Sequence, residues 1–117
     1  MAKKAKVDYD EGNDILWIHT GQKIKDSLEV DNFIIDFSHT EKIIGVEILD
    51  ASLIISNLTL IKITKEMLSK VKEARLNFFY GRELFYIVIS LSFMIHNIVK
   101  EIHIQVPSPK LAVSAGL

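Results

Sequence analysis

Four carboxylates crowd one short stretch: Asp8, Asp10, Glu11 and Asp14, with Gly12 and Asn13 among them. Oxygen ligands gathered this way are what Ca²⁺ or Mg²⁺ takes. The EF-hand order is not met, because Gly12 falls one position early and no Glu closes the loop. A solvated hairpin turn is the plainer expectation, with Gly12 and Asn13 able to take positive φ at low cost. The histidines are His19, His39, His96 and His103, and none forms an i, i+4 pair or the H-E-x-x-H spacing. Brought together with Glu47 or Asp50 they would make a hydrolytic metal site; scattered histidines are the commoner outcome. Ser38 and Ser90 have no nucleophile elbow around them. Five glycines are too dispersed to cradle a phosphate. Phe79, Tyr80 and Arg82 have the aromatic-basic character that suits a single strand of nucleic acid. The formal net charge of −1 and the acidic turns argue against that partner, and a hairpin tip explains them more simply. With no cysteine in the chain, disulfides, thiolate zinc sites and cysteine nucleophiles are excluded.

These residues must be held by elements, and the elements are mainly strands. The chain has 117 residues, which argues for one domain large enough to bury a core. It is 49% hydrophobic and 25% charged, so it is not a disordered composition, and its β-branched bias leans towards strands. Val7 and Tyr9, then Ile15 and Trp17, alternate across the acidic turn, with Trp17 expected in the core rather than as a binding platform. Residues 24–30 form a weaker connection with room for a short edge strand. Phe33, Ile35 and Phe37 face one way, Ile34 and Asp36 the other. Ile44, Val46 and Ile48 follow, and Gly45 among them signals a bulge or a close backbone approach.

Residues 52–63 read equally as strand or helix. Thr64 reads as an N-cap, and Met67, Leu68, Val71 and either Ala74 or Arg75 then predict one amphipathic helix over 65–74. Residues 76–80 read as a strand and Gly81, Arg82 and Glu83 as a tight turn. The next strand puts Phe85, Ile87, Ile89, Leu91 and Phe93 on one face and Tyr86, Val88, Ser90, Ser92 and Met94 on the other. Its apolar run is about a dozen residues, where a membrane-spanning helix needs roughly 20. Ile102, Ile104 and Val106 give a last strand covered on one side, ended by Pro107 and Pro109; a mobile tail over 107–117 is expected. Strands, then a helix, then strands argue for an α+β fold: a mainly antiparallel sheet of hairpins, six to seven strands with one helix.

At residues 7–52 the chain resembles a family. V-D-Y-D-E-G-N-D-I-L-W-I, S-L-E-V-D-N-F-I-I-D-F and I-I-G-V-E-I-L-D-A-S are similar to the small prokaryotic proteins of domain of unknown function 2283. The closing G-V-E-I-L-D-A, Gly45 to Ala51, is the most specific part. The family often has Gly where this chain has Asn32 or Phe33, and Arg in the second strand where it has His19, so a site built on that Arg does not carry over. The resemblance implies no catalytic residues. It does imply a partner-binding or antitoxin role, since family members often stand beside small toxin-like proteins.

The expectations are therefore a single domain over 1–106, with a family-like hairpin unit at 7–52 and a helix and strands at 58–106 completing the core. The start lacks the apolar segment of a signal peptide, and a cytoplasmic protein without a membrane anchor, cofactor or nucleic-acid partner is expected. The favoured activity is non-enzymatic: an interaction or structural domain that forms a homo-oligomer, a dimer by preference, through its sheet. The strand at 84–94 offers both faces for burial, and a sheet-mediated dimer would cover the second. A small basic protein is the expected partner in the antitoxin-like version, facing Asp8, Asp10 and Asp36. The alternative is a small metal-dependent hydrolase using histidines and carboxylates.

Overall fold

The computed structural model describes residues 2–80 and 85–107. The order of elements is β1 (Ala2–Asp10), β2 (Ile15–His19), β3 (Asp26–Val30), β4 (Phe33–Phe37), β5 (Ile43–Ile48), α1 (Ala51–Thr59), α2 (Lys65–Ser69), β6 (Val71–Tyr80), β7 (Phe85–Ile95) and β8 (Ile98–Val106). The strands form one antiparallel sheet in the order β3-β4-β5-β2-β1-β6-β7-β8. Its two halves meet on β1: Ala2 to Ala5 pair with β6, while Lys6 to Asp10 pair with β2. Among the described residues no helix is long and apolar enough to cross a membrane.

The fold is α+β and mainly sheet, as the alternation predicts. Three expectations need correction. Eight strands form among the described residues rather than six to seven, partly because the 24–30 connection supplies the edge strand β3. The helix expected over 65–74 ends at Ser69. Thr64 caps it as predicted, its hydroxyl accepting from the Met67 N–H at 3.1 Å. From Val71 onwards, however, the chain is recruited into β6 by a long ladder with β7, and Ala74, Leu76 and Phe78 enter the core at strand spacing. A helix of this length contributes little by itself, so cross-strand pairing decides the matter. The third correction is Trp17. Both faces of β2 are apolar, and it is Leu16 and Ile18, fully buried, that point inward. Trp17 is half-buried on the outer face. The ambiguous 52–63 stretch is resolved as α1 and a short connection.

Buried side chains from both halves make one cluster, from Leu16, Ile18, Ile35, Val46 and Ile48 to Leu76, Ile89, Leu91 and Ile104, with Ala51 and Ile55 of α1 and Leu68 of α2 packed into it. Helix α1 packs over β8 and α2 over β7. The turn at Gly81 to Glu83, the side chains of Tyr80 and Arg82, and the expected tail beyond Pro107 lie outside the described residues.

Candidate functional site

Three of the four acids of the first turn, Asp14, Asp10 and Asp8, have separate tasks. Asp14 is buried, with φ 54°. Its backbone carbonyl accepts the Ala51 N–H at 2.9 Å. Its carboxylate accepts the Ser52 N–H at 3.1 Å, the Ser52 hydroxyl at 2.6 Å and the Tyr9 hydroxyl at 2.7 Å. Asp50, at the N-cap position of α1, makes no side-chain cap bond, so Asp14 caps the helix from 38 residues away. Burial opposes the Asp14 charge, but the bonds from Ser52 and Tyr9, with Lys65 nearby, hold its carboxyl below the usual carboxylate range. Tyr9 is held protonated beyond its ordinary range by burial first and then by Asp14. Asp10 braces the exposed turn, accepting from the Asn13 amide side chain at 2.8 Å and from its backbone N–H at 3.1 Å, which keeps it ionised. Asp8 faces solvent and meets His19.

The outer face of β1, β2, β5, β4 and β3 carries the remaining polar chemistry. In register, Trp17 lies between Asp8 and Glu47, while His19, Gly45, Asp36 and Ser27 form the next row. Gly45 leaves an open lane across β5: a Cβ there would stand 3.1 Å from the His19 Cβ and 3.2 Å from an Asp36 oxygen. The Trp17 indole crosses to β4, where Nε1 donates to Asp36 Oδ2 at 3.1 Å. It stacks on the His19 ring with centroids 3.9 Å apart. His19 Nδ1 accepts the Gly21 N–H at 3.1 Å, so Nε2 carries the proton and donates to Asp8 at 2.6 Å. Asp36, taken from sequence as partner-facing, is fully buried and also accepts the Ser27 hydroxyl at 2.7 Å. It shares a face with Asp8 but lies beneath the indole and orients it.

Glu47 is diagonal to Asp36. Burial, then the Asp36 charge and a hydrogen bond with it, push the Glu47 carboxyl above its usual range. In the window between its ordinary and raised pKa the folded chain binds more protons than the unfolded one, so stability falls as pH rises through it. Asp14 and Asp10 act with the opposite sign at lower pH. Glu47→Gln keeps a donor for Asp36 without the charge. We expect it to stabilise the protein at neutral pH by roughly 0.5–1 kcal/mol, the range of a like-charge cross-strand contact, and to flatten the decline on the alkaline side. Urea titrations of both proteins at mildly acidic and neutral pH measure this; parallel profiles would remove the assignment.

Asp8, Tyr9, Asp10, Ile15, Trp17 and Glu47 together line a shallow depression of about 310 Å³. Two exposed aspartates beside an indole suit a cationic side chain, held by charge and by the ring face. The histidines do not converge on it. His39 and His96 occupy exposed turns at either end of the sheet, and His103 Nδ1 lies 2.9 Å from Ser90 Oγ. Ser90 is itself buried, and Ser38 organises the β4–β5 turn, where its hydroxyl accepts the Thr40 N–H. Among the described residues no group of three His, Cys, Asp or Glu side chains is arranged to hold a metal ion.

Sequence reasoning singled out the acids but missed Trp17 and Glu47 as their companions. The usable signal was Gly45, whose missing side chain marks where the indole passes.

Residues 6–52 match the family described as Protein of unknown function (DUF2283). A stretch of 50 residues is 44% identical to the uncharacterized protein MJ0789 of Methanocaldococcus jannaschii. That stretch is 42% of this chain and 43% of the archaeal protein, so less than half of the relative is covered. No solved structure matches the chain. The matched family segment ends at Ser52, the residue that clamps Asp14. The aromatic-acidic turn and the closing segment of the resemblance thus meet in space as the lock between the first hairpin and α1.

Proposed function

We propose that the protein is a non-enzymatic interaction domain that presents the outer face of its first hairpins to a small basic protein and associates with itself through its sheet. The antitoxin-like role implied by the family resemblance is the sharper form of this reading. The observation that carries it is the acid-lined depression against Trp17. Asp8 and Asp10 are exposed, Asp10 is kept ionised by Asn13, and the indole is fixed by Asp36 below it. An Arg or Lys of the partner gains Coulombic attraction from both carboxylates and a cation–π contact worth about 0.5–1 kcal/mol with the ring. Asp36 contributes by orientation, not by contact.

The test is capture from the native host with the wild-type chain and with Asp8→Lys/Asp10→Lys, followed by association kinetics of whatever is retained. A small basic protein should be held by the wild type, and the double reversal should slow its association about tenfold and weaken its dependence on salt. Identical kinetics for the two chains would reject the acidic face as the contact.

A further inference from the structure

The two edges of the sheet are defended unequally. Strand β3 is five residues long and presents Asp26, Ser27 and Glu29, a polar edge of the kind that discourages pairing. Strand β8 is nine residues long, regular along its whole length, and buries Ile102, Ile104 and Val106 on its inner face. Among the described residues no strand pairs with its far side.

We infer that a second copy of this chain adds to the sheet along β8, antiparallel, about a two-fold axis at Ile102, so that Glu101 of each copy faces His103 of the other. The inference deepens the self-association named above by assigning its surface and register. Antiparallel partners must share a face, so the axis can lie only on a residue. At Glu101 it would oppose two glutamates, and at His103 two histidines. At Ile102 the outer face adds two Glu–His pairs between copies to the 3.7 Å contact that the same residues make within each chain, and the inner face sets Ile102 against its own copy and the stem of the exposed Lys100 against the partner's Ile104.

The apolar surface follows the same register. Ile98 is 58% exposed on the inner side of β8, beyond the core. The axis at Ile102 places it opposite the partner's Val106. That end of β8 lies beside α1, since Pro107, Ile54 and Leu58 line one depression of about 170 Å³. A two-fold axis normal to the sheet keeps both helices on the same side.

Sedimentation velocity and native mass spectrometry of the full chain test this. The wild type should have twice the 13.3 kDa chain mass at about 100 µM, a concentration well above micromolar dissociation constants. His103→Glu sets four carboxylates at the joint and should weaken the dimer at least tenfold. His103→Glu/Glu101→Lys restores opposite charges and should recover it, and His103→Lys should keep it. Both side chains are more than half exposed, so circular dichroism should show the fold unchanged. A wild type that stays at single-chain mass, a dimer indifferent to His103→Glu, or a failure of Glu101→Lys to restore it would each overturn the inference. The partner-binding face lies on β1 and β2, so failure there is read separately by the Asp8 and Asp10 reversals, which leave β8 intact.

Discussion

Asp14→Ala should lower the stability of the fold by about 3 kcal/mol, since it strands several part-buried donors at once, and an unpaired buried donor costs about 1–3 kcal/mol. The Tyr9 hydroxyl, the Ser52 hydroxyl and the Ser52 N–H all lose their acceptor at once. The amino end of α1 loses the carboxylate that caps it, because Asp50 makes no side-chain cap bond. For a chain of this size the thermal midpoint should fall by roughly 10–15 °C. Tyr9→Phe and Ser52→Ala remove one arm each and should cost about 1 kcal/mol apiece, the usual net value of a hydrogen bond. The same carboxylate imposes a pH signature. Its folded pKa lies below its unfolded value, so its contribution is complete above the ordinary carboxylate range and is lost as pH falls through the folded value. Asp14→Ala should lack that part of the acid transition. Equal stability of wild type and variant in urea would show that the lock carries no weight.

Gly45→Val should be nearly as damaging, about 3 kcal/mol, in the upper range of overpacking. A Cβ at this position meets the backbone carbonyl of Ile18 at 3.2 Å as well as His19 and Asp36. Side chains can yield, but a carbonyl inside the ladder between β2 and β5 cannot move without disturbing its pairing. Gly45→Ala should cost less, about 1–2 kcal/mol on the same grounds. The chain has a single tryptophan, so the fluorescence of Trp17 reports the site directly. Losing the bond to Asp36 should shift its emission towards that of a solvated indole while the sheet persists in Gly45→Ala. Unchanged emission and stability in both variants would mean that the lane across β5 has slack.

These two residues show where reading the chain succeeds and where it stops. Gly45 stands out in an apolar strand as the mark of a bulge or a close approach, and the structure has both: the close contacts around it and a register shift between β4 and β5 beside it. Asp14 stands out only as one of four acids in a turn; nothing in its neighbourhood separates it from Asp8 or Asp10, because the partner that defines it is Ser52.

The sequence by itself determined the strands from residue 26 onward whose alternation has one clear apolar side, such as β4 and the inner positions of β7 and β8. It also determined the cap at Thr64, the α+β class and the exclusion of thiol chemistry. Period-2 patterning and capping are local signals, and they need no knowledge of the partner strand. Only the tertiary structure decided the rest. In β2 Ile15 and Trp17 compete with Leu16 and Ile18, and pattern alone cannot choose between two apolar faces; pairing with β1 and β5 over the core chose Leu16 and Ile18. Helical spacing continued past Ser69, but the ladder with β7 claimed Val71 and Ala74. Asp36 looked exposed because it alternates with core residues, yet the indole of Trp17, two strands away, closes over it. In each case the deciding contact joins residues distant in the chain, and the free energy of packing them exceeds the small local preferences that a sequence displays.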